Sequence, residues 1–162
     1  MKDSPLTHLD PSGRPRMVDV SAKEEGAREA VATGWIRTAP ETLKAIRHGT
    51  AAKGDVLRVA ELAGIQAAKR TGELIPLCHL LPAVSVKVEL EVDPSLPGVR
   101  ALASARVRGS TGVEMEALSA VSVSLLTVYD MLKSQDRAMV LEGIRLLEKR
   151  GGRTGEWTAP ED

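Results

Sequence analysis

An α+β layer is the fold that this sequence predicts, and three observations carry the prediction. Val84, Val86, Val88, Leu90 and Val92 alternate strictly with Ser85, Lys87, Glu89 and Glu91, the signature of a half-buried strand. The stretch Asp93-Pro94-Ser95-Leu96-Pro97-Gly98 turns the chain, after which Val99, Ala101, Ala103, Ala105 and Val107 alternate again, so the pair reads as a hairpin. Third, segment 113–134 sets Leu118, Val121, Leu125, Val128 and Leu132 on one side of a long helix. With an earlier strand and helices and a final strand, the order becomes β-α-β-β-α-β. That is a ferredoxin-like layer, an antiparallel sheet with its helices on one face.

The remaining elements follow in chain order. Residues 1–25 are polar and contain Gly and Pro up to Met17-Val18-Asp19-Val20, and read as a partly disordered arm. From Arg28 to Thr38 two signals compete: Glu and Ala favour helix, whereas Val31, Thr33 and Trp35 alternate as in a strand. A short helix follows, with Pro40 in its first turn, Glu41 beside it and Gly49 after its end. Lys53-Gly54-Asp55 opens a longer helix to about Arg70, with Asp55 placed to cap it. Met139–Lys149 fits strand or helix on periodicity alone, and the β-α-β-β-α-β order takes it as the last strand. The domain proper spans 26–150, and 151–162 is a flexible, Gly-rich, cationic tail.

Composition excludes several classes. Lys+Arg and Asp+Glu both total 22, leaving no net field to gather nucleic acid, and aromatics are 2% with no Phe to stack on bases. The one Cys cannot form an internal disulfide, which fits a reducing compartment. The first residues lack an apolar targeting segment, and no uncharged run approaches the ~20 residues of a membrane helix. The expectation is a cytoplasmic protein without nucleic-acid or membrane partners.

Chemistry concentrates in five places. Ser110-Thr111-Gly112-Val113-Glu114-Met115-Glu116-Ala117 sets two carboxylates where the uncharged run Ala117–Tyr129 begins, and carboxylates are seldom buried without a partner. At the other end of that run Asp130 and Lys133 stand three apart on one helical face. This is either an ordinary surface ion pair or a lysine whose proton is governed by a carboxylate and burial. Ile75-Pro76-Leu77-Cys78-His79-Leu80-Leu81-Pro82 holds the single Cys beside a His between prolines. Adjacent residues seldom orient as nucleophile and base. Zinc through Cys78, His79 and the glutamates is sterically conceivable but lacks the usual ligand spacing. Lys53, at a helix N-terminus, combines an ammonium with free N–H groups that suit a phosphate. Gly151-Gly152-Arg153-Thr154-Gly155 could wrap an anion, although it is no Walker loop.

Taken together these segments resemble a known family. Leu6-Thr7-His8, Met17-Val18-Asp19-Val20-Ser21-x-Lys23, Lys53-Gly54-Asp55-Val56, Ala63-Gly64-Ile65-Gln66-Ala67-Ala68-Lys69, Leu74-Ile75-Pro76-Leu77-Cys78-His79, Thr111-Gly112-Val113-Glu114-Met115-Glu116-Ala117-Leu118 and Tyr129-Asp130-Met131-x-Lys133 are similar to the molybdenum cofactor biosynthesis protein C family, the cyclic pyranopterin monophosphate synthases. The likeness runs in order from about residue 6 to 157. It departs at Leu80, where the family usually has Pro, and at Leu132, where it often has Cys.

The resemblance implies a catalytic domain of the phosphorus–oxygen lyase type. It would convert 3′,8-cyclo-7,8-dihydro-GTP into cyclic pyranopterin monophosphate and release diphosphate. By motif, Asp130 and Lys133 would form an acid–base pair, with Lys53 a second catalytic lysine. Leu77, Cys78, His79, Met115 and Glu116 would line the substrate with Glu114 nearby, and Arg28, Lys69 and Lys149 are cation candidates for the triphosphate. No cofactor or metal is required, and Mg²⁺ could accompany the phosphates. The resemblance also suggests a homohexamer, a trimer of dimers. Glu116 and Asp130 are 14 residues apart on one helix, roughly 21 Å at 1.5 Å per residue. One reacting centre served by both would need a second copy of the helix, hence a site between subunits. The alternatives are a non-catalytic oligomeric module that binds a nucleotide-derived metabolite, and a zinc-dependent hydrolase.

Overall fold

The computed structural model of the chain describes residues 12–17, 19, 24–152 and 155–160. Its elements are β1 (Gly26–Arg37), α1 (Pro40–Arg47), α2 (Val56–Lys69), α3 (Thr71–Leu74), β2 (Ser85–Asp93), β3 (Gly98–Gly109), α4 (Glu114–Leu132), β4 (Val140–Arg150) and β5 (Trp157–Thr158). The sheet order is β2-β3-β1-β4-β5, with every neighbouring pair antiparallel. Its first four strands follow the ferredoxin-like order that the sequence predicts. Most expectations about the arm fall on residues 1–11, 18 and 20–23, outside the described residues.

The alternating strands behave as their pattern requires. On β3, Val99, Ala101, Ala103 and Ala105 are fully buried, while Arg100 and Leu102 face outward. The ambiguous segment after Glu25 is strand β1, not helix. Its Ala30, Ala32 and Ile36 are fully buried between two paired neighbours, so ladder bonds and burial override the helix propensity of Ala and Glu. Met139–Lys149 likewise resolves as a strand, because β1 offers it a free edge.

Two helices cover one face. Asp55 caps α2 by accepting the Arg58 N–H at 3.1 Å, as its placement predicts. Pro40 begins α1. On α4, Val121, Leu125, Val128 and Leu132 are fully buried, whereas Leu118 is only partly so. By length and composition α4 could cross a membrane, yet its apolar side is the core against the sheet. Where α2 meets α4, Ser124 Oγ donates to the Ala60 carbonyl at 3.0 Å. A Cβ on Gly64 would strike Ser124 Oγ and lie 2.8 Å from the Ala120 carbonyl. The small residues of α2 therefore let two helix backbones come close.

The tail differs from the free segment expected. Trp157 and Thr158 pair with Lys149 and Glu148, and the Ala159 N–H donates to the Leu147 carbonyl at 2.7 Å. The cause is the exposed edge of β4, a row of unpaired backbone groups that the returning chain covers.

Candidate functional site

Most of the candidate side chains collect at the two ends of α4. At its C-terminal end, Lys133 Nζ lies 2.7 Å from Asp130 Oδ1, the i,i+3 pair that the spacing predicts. The loop before α2 adds a group that sequence spacing placed elsewhere. Lys53 Nζ donates to Asp130 Oδ2 at 2.8 Å and to the Asp130 carbonyl at 3.0 Å. One carboxylate thus bridges two ammoniums. Asp130 is pulled down to about 2, by hydrogen bonds from Lys133 and then Lys53 and by the charges of both. Lys133 moves the opposite way, raised by its hydrogen bond to Asp130 and by that charge.

The position of this trio corrects one expectation. Burial does not tune Lys133, because its side chain is 54% exposed and that of Asp130 is 56% exposed. Within one chain Lys133 is held protonated by its neighbour. Lys53, expected to meet a phosphate at a helix N-terminus, is turned instead toward Asp130, 77 residues away in sequence.

At the N-terminal end of α4 the two glutamates diverge. Glu114 Oε1 takes an ion pair from Lys149 Nζ at 2.8 Å, because β4 runs past the start of the helix. Glu116 turns inward and is only 2% exposed, with its Oε2 atom buried and lacking a hydrogen-bond partner. Burial, followed by the charge of Glu114, pushes its carboxyl up, against the pull of its own backbone N–H and of Cys78. Cys78 Sγ lies 3.9 Å from Glu116 Oε1 and 3.8 Å from the His79 carbonyl. Burial chiefly, then the charge and hydrogen bond of Glu116 and the charge of Glu114, push its thiol up. A thiol kept protonated is a poor nucleophile. Among the described residues no three His, Cys, Asp or Glu side chains gather as a metal ligand set.

A cleft of about 670 Å³ opens at this end, lined by Arg28, Glu114, Lys149, Gly151 and Gly152 among others. Arg28 is fixed by Nε donating to the Gly109 carbonyl at 3.1 Å. Gly151 and Gly152 have φ of 87° and 81°, and a Cβ on Gly152 would collide with the Arg28 guanidinium. The anion-wrapping stretch thus contributes two glycines to the cleft, while Arg153 and Thr154 lie outside the described residues. Among the described residues the lining carries Arg28, Lys149 and Arg150 against Glu24, Glu25, Glu29 and Glu114, three cations to four carboxylates. Lys69, exposed in the last turn of α2, is not part of the lining. Leu77 is 37% exposed and Met115 is half-buried. Sequence spacing could not reveal the Lys53–Asp130, Lys149–Glu114 and Cys78–Glu116 contacts, since each joins separate elements.

Comparison with known proteins places the chain in a family. Residues 17–152 match the MoaC family. A protein of Methylobacterium nodulans named cyclic pyranopterin monophosphate synthase is 62% identical over 154 residues, covering 95% of this chain and 96% of the relative. A protein of the same name from Brucella ovis is 56% identical over 156 residues, covering 96% and 94%. With a match across most of its length and relatives this similar over nearly the whole of both sequences, the chain belongs to the MoaC family.

Proposed function

We infer that the chain is a cyclic pyranopterin monophosphate synthase of molybdenum cofactor biosynthesis. It takes the cyclised GTP intermediate 3′,8-cyclo-7,8-dihydro-GTP and releases diphosphate, as a phosphorus–oxygen lyase of the cytoplasm. The observation that carries this reading is the Lys53–Asp130–Lys133 bridge, whose residues lie in the segments that resemble the family's and can serve as a proton-transfer set. The reaction opens a purine-derived ring and rebuilds it as a pterin, which needs protons delivered and removed. A sugar hydroxyl then displaces diphosphate at the α-phosphorus, which needs cations on the departing charge.

The electrostatics assign starting states. Asp130 stays ionised at any working pH and holds Lys133 protonated, so Lys133 begins as a proton donor. It becomes a base only after giving up that proton to the substrate. Glu116 and Cys78 offer a buried polar wall on which the ring edge rests, beside His79, Leu77 and Met115. Arg28, Lys149 and Lys69 face the triphosphate. Because the described residues of the cleft carry no positive excess, and because the two charged clusters lie roughly 21 Å apart along α4, a second chain completes the site. Its Lys53, Lys69 and Lys133 bring the missing charge to Glu116 and Lys149 across a two-fold axis. A hexamer built from such dimers follows the family resemblance. No resident metal is needed for these steps, and Mg²⁺ enters only with the phosphates.

The test is incubation of the purified protein with the cyclised GTP intermediate and mass-spectrometric detection of the cyclic monophosphate. Loss of the intermediate with matching product supports an enzyme. Tight binding of an unaltered intermediate would mark a non-catalytic metabolite carrier and defeat the proposal.

A further inference from the structure

A second cavity, of about 440 Å³, lies beyond the catalytic cleft, lined by Ala27, Arg28, Glu29, Ala83, Arg106, Val107, Arg108 and Arg150. Four arginines and one glutamate line it, the reverse of the balance among the described residues of the catalytic cleft, with which it shares Arg28, Glu29 and Arg150; Arg28 is held by the Gly109 carbonyl at 3.1 Å. The placement follows from register. Glu29 on the central strand β1 is paired with Arg106 of β3 on one side and Arg150 of β4 on the other. Arg108 follows Arg106 two residues along the same strand face, roughly 7 Å away.

The existing ion pairs are weak competitors. Arg106 holds Glu29 at 2.6 Å with its own side chain 67% exposed, and Arg150 holds Glu148 at 3.1 Å with 55% exposed. Exposed pairs of this kind contribute little. Arg108 has no side-chain hydrogen bond or ion pair among the described residues. Guanidinium forks bind phosphoryl oxygens in bidentate fashion, and several on one rigid sheet end favour an anion carrying more than one phosphate.

We propose that this arginine basin is a second anion site, adjoining the catalytic cleft, which takes a diphosphate group. The group comes either as free inorganic diphosphate or as the tail of a nucleotide. The basin needs no turnover, so binding is measured without substrate; the count of two sites rests on the proposed reading of the catalytic cleft, whereas the response to Arg106 and Arg108 variants does not.

The experiment is isothermal titration of the intact protein with inorganic diphosphate, and separately with GTP, in parallel with sedimentation. The expected result is two diphosphate sites per chain. Arg106→Ala and Arg108→Ala each weaken one of them by about tenfold or more and leave the other unchanged, while Arg108→Lys weakens it less because charge remains without the fork. A second site seen with diphosphate alone identifies free diphosphate as the occupant, and one seen only with GTP identifies a nucleotide tail. A single diphosphate and GTP site per chain that is indifferent to both alanine variants overturns the proposal, as does a second site indifferent to them; a single site weakened by both variants supports the basin and counts instead against phosphate binding in the catalytic cleft. Dissociation of the assembly in Arg108→Ala with unaltered isotherms overturns it too, because the basin would then be a contact between copies.

Discussion

Mixing two dead variants tests the geometry of the site quantitatively. Lys133→Ala removes the proposed proton-transfer group at one end of α4, and Glu116→Ala removes the buried carboxyl near the other. Lys133 is exposed, so its loss leaves the fold intact. Each variant alone is expected to turn over about 10²-fold or more slower than the parent. The two ends are roughly 21 Å apart, beyond the reach of a compact ring, and the proposed site draws one end from each of two chains. In a mixed dimer both lesions then fall in one site and the other site is intact. Random reassociation of equal amounts makes half of the dimers mixed, each with one of two sites working, so activity recovers to about a quarter of the parent's. The assay refolds the two variants together and follows product by mass spectrometry. As control, the Lys133→Ala/Glu116→Ala double variant mixed with a single variant stays inactive. If the mixture never rises above either variant alone, each site lies within one chain and the two-chain reasoning fails.

Three further outcomes follow from the same contacts. Cys78 should alkylate slowly with iodoacetamide at neutral pH, and Glu116→Gln should move the midpoint of its pH–rate curve downward, by removing a charge and a hydrogen bond that raise the thiol; an unmoved midpoint would refute the Glu116 contribution and leave burial and the charge of Glu114 as the causes. Because the Glu116 carboxyl is raised in the fold, the folded state binds its proton more tightly than the unfolded state. Stability therefore falls as pH rises from the ordinary carboxylate range through the raised value. Glu116→Gln should flatten that slope in melting temperature against pH, and an identical slope would refute the assignment. Gly64→Ala pushes a methyl toward the Ala120 carbonyl and Ser124 at the α2–α4 crossing, and should cost about 1–3 kcal/mol in denaturant unfolding; a neutral result would mean that the helices separate freely.

What the sequence revealed depended on whether the signal was local. Alternation from Val84 to Val107 specified a hairpin because period-two burial is written into consecutive residues. The cap at Asp55 and the core side of α4 were legible for the same reason. β1 was not, since Ala-rich segments owe their state to partners, here β3 and β4 on either side. The strand at Trp157–Thr158 depends on an edge formed by residues of another element. Within the site, the Asp130–Lys133 pair was readable from spacing, but its exposure was not, nor was the approach of Lys53 across 77 residues. The inward turn of Glu116 and the outward turn of Glu114 toward Lys149 likewise appear only once β4 is folded beside the helix.

The central claim is that this chain performs diphosphate-releasing chemistry with lysines steered by Asp130. Its most direct test counts diphosphate and cyclic monophosphate formed from the cyclised GTP intermediate by the parent, Lys53→Ala, Lys133→Ala and Asp130→Asn proteins. The account predicts one diphosphate per cyclic monophosphate in the parent, and turnover reduced about 10²-fold or more in both lysine variants. Asp130→Asn is impaired as well, since the charge that holds both ammoniums is gone while the shape is kept. Parent-like turnover in either lysine variant, or product without a matching diphosphate, would contradict it.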